Sequence, residues 1–229
     1  MDASITTIDA AEGPVAAWFE DPTTRYPHGV LGDAVEAGTL AVQLASGCTT
    51  LRATLPTAEV FEDIAPRLSD LDGDGRAEVI VVQSHRRLGA RLAIYSATDR
   101  LRLLTATPNI GRPNRWLAPI GAADFDGDGA IEIAYIDRPH LARTLRVWRY
   151  ENGALTEIAA APGLTNHRIG EPFISGGVRD CGTGPEMLTA NADWTRIIAP
   201  RLTAAAALVA RDLGPFTRQA LDAALICRD

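Results

Sequence analysis

The sequence has no lysine, few cysteines and no long apolar run. All 22 basic residues among its 229 are arginines, which excludes Schiff-base lysine chemistry and any phosphate loop that depends on lysine. The longest uncharged apolar stretch is Leu202–Ala210, far shorter than the roughly 20 residues of a membrane-spanning helix. The net charge of −7 argues against a nucleic-acid or anionic-membrane partner. We therefore expect no nucleic acid among its partners and no membrane insertion.

The three cysteines, Cys48, Cys181 and Cys227, lie far apart and form no C-x-x-C pair. This spacing excludes a zinc ribbon or a thioredoxin-type site. Buried free thiols and a Cys181–Cys227 bridge both remain open, and a bridge requires an oxidising compartment. The N-terminus has neither the basic segment nor the apolar segment of an export signal, so the sequence as it begins predicts a cytoplasmic chain.

Two acidic segments repeat along the chain. Ser69–Val82 reads SDLDGDGRAEVIVV and Ala123–Ile136 reads ADFDGDGAIEIAYI, with their first aspartates 54 residues apart. Downstream of each, Arg91–Tyr95 (RLAIY) matches Thr144–Trp148 (TLRVW) at an offset of 53. Worn copies around residues 33 and 180 keep the glycines and lose most of the carboxylates. The period indicates a repeat protein.

Short alternating runs between the acidic turns predict four strands in each unit. They fall at 65–69, 79–83, 91–96 and 101–106, and then at 118–122, 132–136, 144–150 and 155–160. Such units are typical of propeller blades. We predict an all-β fold, a single small β-propeller over 1–229 with four or five four-stranded antiparallel blades and repeats near 26–60, 61–113, 114–168 and 169–215. The N-terminal strand 15–20 is expected to complete the last blade, and 217–226 to form a short C-terminal helix.

The acidic turns have the composition of a calcium site. Carboxylates fall at positions 1, 3, 5 and 9, and a backbone carbonyl at position 7 adds an oxygen, which suits a cation that takes six to eight oxygen ligands. The predicted ligands are Asp70, Asp72, Asp74, the carbonyl of Arg76 and Glu78 in the first loop, and Asp124, Asp126, Asp128, the carbonyl of Ala130 and Glu132 in the second. Two Ca²⁺ sites are therefore expected.

These loops differ from an EF-hand, which needs a bidentate glutamate at position 12 and flanking helices. Position 12 is Val81 in the first loop and Tyr135 in the second, and a β-run follows each directly. The alternative is a solvated Asp-Gly turn without an ion, but four crowded carboxylates repel one another in such a turn. Magnesium fits less well, because it prefers to keep its waters.

The two full segments resemble the calcium loops of FG-GAP (VCBS-type) repeats, the blade units of integrin α-chain-like β-propellers. The resemblance covers roughly residues 60 to 160. It implies calcium bound in each loop and a propeller that is periplasmic or secreted. The chain departs from the family in being too short for the seven blades that the family commonly forms, and in lacking a visible export signal.

A second set of residues precedes the acidic turns, where a propeller would bring them near one mouth of its channel. The candidates for binding a small anionic ligand are Arg25, His28, Arg112, Arg115, Trp116, His167 and Arg168. The alternatives are that these groups pair with one another and fill the channel, or that His28 and His167 act as an acid and a base. No nucleophile motif accompanies these histidines.

We therefore expect a non-enzymatic, calcium-binding β-propeller that presents a face to a protein or a small anionic ligand. The rival hypothesis is an enzyme of hydrolase or lyase type with a His/Arg site at the channel mouth.

Overall fold

The fold is given by a computed structural model, which describes residues 4–47 and 49–228. Within these ranges the chain forms eighteen strands and one helix, and neighbouring strands run antiparallel. The all-β class predicted from the alternating runs is therefore confirmed. Cys48 lies outside the described residues. No helix in the described part of the chain is long and apolar enough to cross a bilayer.

The chain divides into two compact units, of which the first runs to Trp116 and includes Asn152–Ala154 and Ile169–Pro172. Its nine strands form one sheet in the order β1-β2-β3-β5-β7-β8-β9, with β4 paired to β3 and β6 to β7. The strands are β1 (Thr6–Thr7), β2 (Pro14–Thr23), β3 (Glu36–Leu44), β4 (Thr50–Thr54), β5 (Glu59–Phe61), β6 (Arg67–Ser69), β7 (Glu78–His85), β8 (Gly89–Ala97) and β9 (Leu101–Ala106).

This sheet consists of two four-stranded groups, β1–β4 and β6–β9, which β5 joins through the pairs Ala37↔Phe61 and Phe61↔Gln83. The central strands β3 and β7 are buried along almost their whole length, whereas β4 and β9 are largely exposed. The core therefore lies over the central strands, where Leu40, Phe61 and Val81 pack together. Burial on both faces explains why Val79–Val82 in β7 is an unbroken apolar run.

The second unit holds a four-stranded sheet, β10-β11-β12-β13, and a five-stranded sheet, β14-β16-β17-β18, with β15 paired to β16. Two clusters form its core, one around Ile136, Leu145 and Met187 and one around Leu188 and Ile197. The elements are β10 (Leu117–Ala123), β11 (Ile131–Asp137), β12 (Thr144–Glu151), β13 (Ala154–Pro162), β14 (Leu164–Thr165), β15 (Gly177–Asp180), β16 (Pro185–Asn191), β17 (Arg196–Leu202), β18 (Leu208–Pro215) and α1 (Arg218–Leu225).

The eight strands predicted around the two acidic loops coincide with β6–β13. The expectation for the N-terminal strand 15–20 is corrected. This segment belongs to β2, which lies between β1 and β3 in the first sheet, so both of its edges are used there and it does not complete the last blade. The segment is held there because β2 pairs with the buried strand β3 along most of its length. The number of blades and the closure of 1–229 into one ring stay predictions.

The C-terminal helix is confirmed. Thr217 caps α1 by accepting a hydrogen bond from the amide of Ala220 at 3.0 Å, and Leu221 and Ala224 bury its apolar face. A Cys181–Cys227 disulfide, with a Cα–Cα distance of 5.6 Å, then ties the end of the helix to the turn after β15. Of the two possibilities that the cysteine spacing left open, the structure has the bridge.

Candidate metal centres

Each acidic loop is the turn of a β-hairpin. The first connects β6 to β7, where Ser69 lies opposite Glu78, and the second connects β10 to β11, where Ala123 lies opposite Glu132. This register brings the glutamate at position 9 beside the aspartate at position 1. The sequence spacing and the hairpin register together therefore gather these carboxylates at the end of the hairpin.

Backbone amides hold the first aspartate of each loop in the same way. In the first loop Asp70 accepts hydrogen bonds from the amides of Gly73 and Gly75 at 2.8 and 2.9 Å. In the second, Asp124 accepts from the amides of Gly127 and Gly129 at 2.7 and 3.0 Å. The glycines have positive φ values, from 76° to 91°, which other residues seldom adopt.

The structure brings together three carboxylates in each loop with ligand atoms within 4.8 Å of one another. They are Asp70, Asp72 and Glu78 in the first loop and Asp124, Asp126 and Glu132 in the second. The predicted ligands Asp74 and Asp128 lie outside these trios, and each accepts a hydrogen bond from the amide two residues on, that of Arg76 or Ala130. The proposed carbonyl ligands of Arg76 and Ala130 stay predictions.

In the described part of the chain, no positive side chain forms a salt bridge with the carboxylate trio of the first loop. Arg76 instead pairs with Glu12, at 2.8 Å. Burial, together with the charges of the loop aspartates, raises the pKa of Glu78 to about 7 against the opposing hydrogen bond from the Leu71 amide. Among the described residues, the trio of the first loop is therefore a concentration of negative charge without a salt-bridge partner.

The second loop contains a cation of the protein itself. The Arg149 guanidinium contacts Asp126 at 2.7 Å, Asp128 at 3.0 Å and Glu132 at 2.8 Å. Burial raises the pKa of Glu132, and the hydrogen bond from Arg149 opposes that rise. The same bond is the main reason that the pKa of Arg149 lies above its ordinary value.

One oxygen of the second loop is buried without a partner. The Asp126 side chain is 3% exposed, and its Oδ1 accepts no hydrogen bond from any described residue. A buried carboxylate oxygen without a donor is costly unless a cation or water completes its contacts. The trio and this oxygen have the donor chemistry that a hard, oxygen-binding cation requires.

The worn copy in the second unit has lost its inner carboxylates, and two arginines from other strands pair with its remaining glutamate. Asp180 still accepts hydrogen bonds from the amides of Gly182 and Gly184. Glu186, at the place of Glu78 and Glu132, pairs with the buried Arg179 at 2.7 Å and with Arg211 at 2.9 Å. Among the described residues this loop has no carboxylate trio of the kind found in the other two.

The candidate ligand residues of the first unit mostly have structural contacts. Arg25 donates to the carbonyl of Glu59 at 2.9 and 2.6 Å, and the buried Trp116 donates its ring N–H to the carbonyl of Glu62 at 2.8 Å. Arg115 donates to the carbonyl of its neighbour Asn114, and Arg112 is exposed. His28 is the member with chemical interest, because its Nδ1 lies 2.5 Å from a carboxylate oxygen of Glu62.

The two candidates in the second unit have different surroundings. His167 is buried, and its Nδ1 lies 2.9 Å from Nε2 of His140. Arg168 is exposed, with its guanidinium 4.0 Å from the centre of the Trp194 ring. Binding of an anionic ligand by these seven residues stays a prediction.

Sequence reasoning missed Arg149 and the burial of Glu62 and Glu36 in the first unit. The offset that aligns Arg91–Tyr95 with Thr144–Trp148 places Ser96 against Arg149. A comparison of the two repeats at this position would therefore have identified the arginine as a difference between them. The Glu62 carboxylate is 0% exposed and also accepts a hydrogen bond from Ser84. Glu36 is 2% exposed, and burial, reinforced by the charge of Glu62, raises its pKa to about 9.

Comparison with known structures supports an all-β assembly of this kind. The chain is similar to an exotype rhamnogalacturonan lyase, with a TM-score of 0.52 and 16% sequence identity over 92% of this chain. The chain corresponds to 48% of the length of that enzyme. At this identity the likeness concerns the fold alone. No curated protein sequence matches the chain.

The match to a protein-family model also falls on the two acidic loops. Residues 70–135, which run from the first aspartate of the first loop through the whole of the second, match the family model of the FG-GAP-like repeat. The resemblance to FG-GAP repeats inferred from the loop residues is thus confirmed, and over this segment the chain is similar to that repeat family.

Proposed function

We propose that the chain is a calcium-binding repeat protein whose two Asp-rich loops each hold one Ca²⁺, and that the ions fix the blade loops of a small propeller. One observation carries this proposal. In each loop three carboxylates converge within 4.8 Å, and in the second loop the buried Oδ1 of Asp126 has no hydrogen-bond donor among the described residues. A hard cation supplies both the countercharge and the missing contact.

The proposed role of the ions is stabilisation. Since the loops form their ring of oxygens only when the hairpins are folded, Ca²⁺ binds the folded state in preference to the unfolded state. At a calcium concentration of about 100 times the dissociation constant, each ion adds about 2.7 kcal/mol to the free energy of unfolding. Magnesium competes poorly, because it keeps its waters.

Calorimetric titration and thermal melting test the proposal together. We expect the full chain to bind two Ca²⁺ and to melt at a lower temperature in a chelator. Asp72→Ala and Asp126→Ala each remove one site, whereas Asp99→Ala, at an exposed hairpin turn outside both loops, serves as the control and leaves both. A chain without heat of binding and with one melting temperature in calcium and in chelator rejects the proposal.

We also propose that the protein works outside the reducing cytosol and acts by presenting a face to a partner. The Cys181–Cys227 bridge supports the first point, because such bonds persist in oxidising compartments. Each unit has an exposed arginine, Arg112 in the first and Arg168 in the second, which supports an anionic ligand or an acidic protein surface as the partner. Weaker capture of a polyanion by an Arg112→Ala/Arg168→Ala variant is the expected result.

An enzyme of lyase type is the second candidate, and the likeness to a rhamnogalacturonan lyase is the observation that favours it. The His28–Glu62 pair offers a partly exposed imidazole against a buried carboxylate, a common arrangement for a general base. Incubation with rhamnogalacturonan, followed by the ultraviolet absorbance of unsaturated products, separates the two candidates. Product from the wild type and none from His28→Ala would favour the enzyme.

A further inference from the structure

The two acidic loops have the same backbone and the same carboxylates but different countercharges. In the second loop, Arg149 contacts Asp126 and Glu132, two members of the carboxylate trio, and Asp128 beside it. In the first loop, the one nearby arginine, Arg76, pairs outward with Glu12 and leaves the trio without a positive partner among the described residues.

The strand register gives the reason for this difference. In the second repeat unit Ile133 lies opposite Trp148 and Glu132 lies opposite Arg149. In the first, Val79 lies opposite Tyr95, so the position that corresponds to Arg149 is held by Ser96. A serine hydroxyl carries no charge and is too short to span the loop. One substitution at one register position therefore decides whether a loop contains its own cation.

We propose that Arg149 is an internal cation of the second loop that competes with Ca²⁺, so that the first loop binds Ca²⁺ tightly and the second binds it more weakly. This inference rests on the calcium-binding function proposed above. Affinity at oxygen-lined calcium sites follows the number of available ligand charges, and Arg149 engages two of the three carboxylates in its trio. The two loops then fill at different calcium concentrations.

The geometry also shows what an incoming ion has to displace. Arg149 donates from Nη2 to Asp126 Oδ2 and from Nε to Glu132 Oε1, while Asp126 Oδ1 stays without a donor. Charge-assisted bonds of this kind are roughly twice as strong as neutral ones. An ion can approach the free oxygen of Asp126, but it has to move the guanidinium to gain the other carboxylates.

Calcium titration of the full chain by calorimetry tests the proposal. The wild type is expected to show two sites whose dissociation constants differ by about tenfold or more, as expected when one loop has fewer free ligand charges. Arg149→Gln brings the weaker site close to the tighter one. Arg146→Gln is the matched control, because Arg146 lies on the same strand and pairs with Asp137 and Glu157 outside the loop. It leaves both constants unchanged.

The reciprocal variant Ser96→Arg keeps the test decisive if Arg149→Gln folds poorly. It places an arginine at the corresponding position of the first loop and is expected to weaken the tight site by about tenfold, by the same argument of ligand charge. Asp72→Ala assigns the tight site to the first loop by abolishing it. Thermal melting in chelator gives an independent measurement, in which Arg149→Gln melts below the wild type and calcium removes the difference.

The outcomes separate this inference from the proposed function. Two sites of equal affinity that neither Arg149→Gln nor Ser96→Arg alters overturn the inference and leave calcium binding intact. No calcium bound by the wild type overturns the proposed function, and the inference with it. A tight site that Asp126→Ala abolishes, in place of Asp72→Ala, reverses the order of the loops and overturns the inference.

Discussion

Removal of the Cys181–Cys227 bridge should destabilise the second unit by an amount that the chain length sets. The two cysteines are 46 residues apart, and the loop-closure relation gives about 4 kcal/mol at 25 °C for a loop of that size. The segment between them contains β16, β17, β18 and α1, so the bridge restricts a large part of that unit's unfolded chain.

The folded state should change little when the bridge is cut. The Thr217 cap, the packing of Leu221 and Ala224, and the bond from Arg179 to the carbonyl of Ala224 all remain to hold α1. The free energy of unfolding therefore decreases mainly because the unfolded chain, without the bridge, gains conformational entropy. We expect a lower midpoint of unfolding and a somewhat larger dependence on denaturant, because the reduced unfolded chain exposes more surface.

Urea unfolding of a Cys181→Ser/Cys227→Ser variant against the bridged protein measures this loss, with Cys48→Ser in both so that no third thiol exchanges. A reductant should lower the stability of the bridged protein to that of the variant and leave the variant unchanged. A loss below about 1 kcal/mol would refute the reasoning, since chain entropy alone predicts several times more. So would a reductant effect of the same size on both proteins.

Three further changes have definite expected outcomes. Burial raises the pKa of Glu36 to about 9 in the folded state, whereas the unfolded chain has the ordinary, lower pKa. The free energy of unfolding should therefore fall by up to about 1.4 kcal/mol per pH unit from about pH 5 to 9. Urea unfolding at several pH values measures this slope, and Glu36→Gln should flatten it. Gly89→Ala places a Cβ 2.2 Å from the carbonyl oxygen of Arg112 at a φ of +72°, so poor expression and a strongly lowered melting temperature are expected, and a normal melt would contradict the packing. Arg179→Met leaves Glu186 with one arginine in place of two and should cost about 3 kcal/mol of unfolding free energy, which Arg211→Met, at an exposed partner, should not.

The acidic loops and their strands could be predicted because the information is local. The spacing of aspartates, glycines and a glutamate within nine residues defines the turn, and the alternating runs on either side define β6–β13. The same holds for α1, where the periodic Leu221 and Ala224 and the cap at Thr217 lie within one short segment.

The features that sequence reasoning missed depend on contacts between distant parts of the chain. The contact of Arg149 with Asp126 spans 23 residues and needs the register of β11 against β12. The position of the N-terminal strand depends on its long pairing with β3. Burial of Glu36 and Glu62 could not be inferred from charge patterning, which places carboxylates at the surface. The cysteine bridge was one of two possibilities because spacing does not fix the Cα–Cα distance.

The three related loops also differ in the conditions that can loosen them. Among the described residues, the carboxylate trio of the first loop has no salt-bridge partner. The second loop has Arg149, and the third has two arginines on Glu186 and the bridge from Cys181. On the proposed function, loss of calcium leaves the trio of the first loop without a countercharge while Arg149 still holds the second, and a shift to reducing conditions acts on the third. One chain then responds to two unrelated properties of its surroundings, each at a different loop, and the arginine-held loop that lies between these two in the sequence is the least sensitive to either.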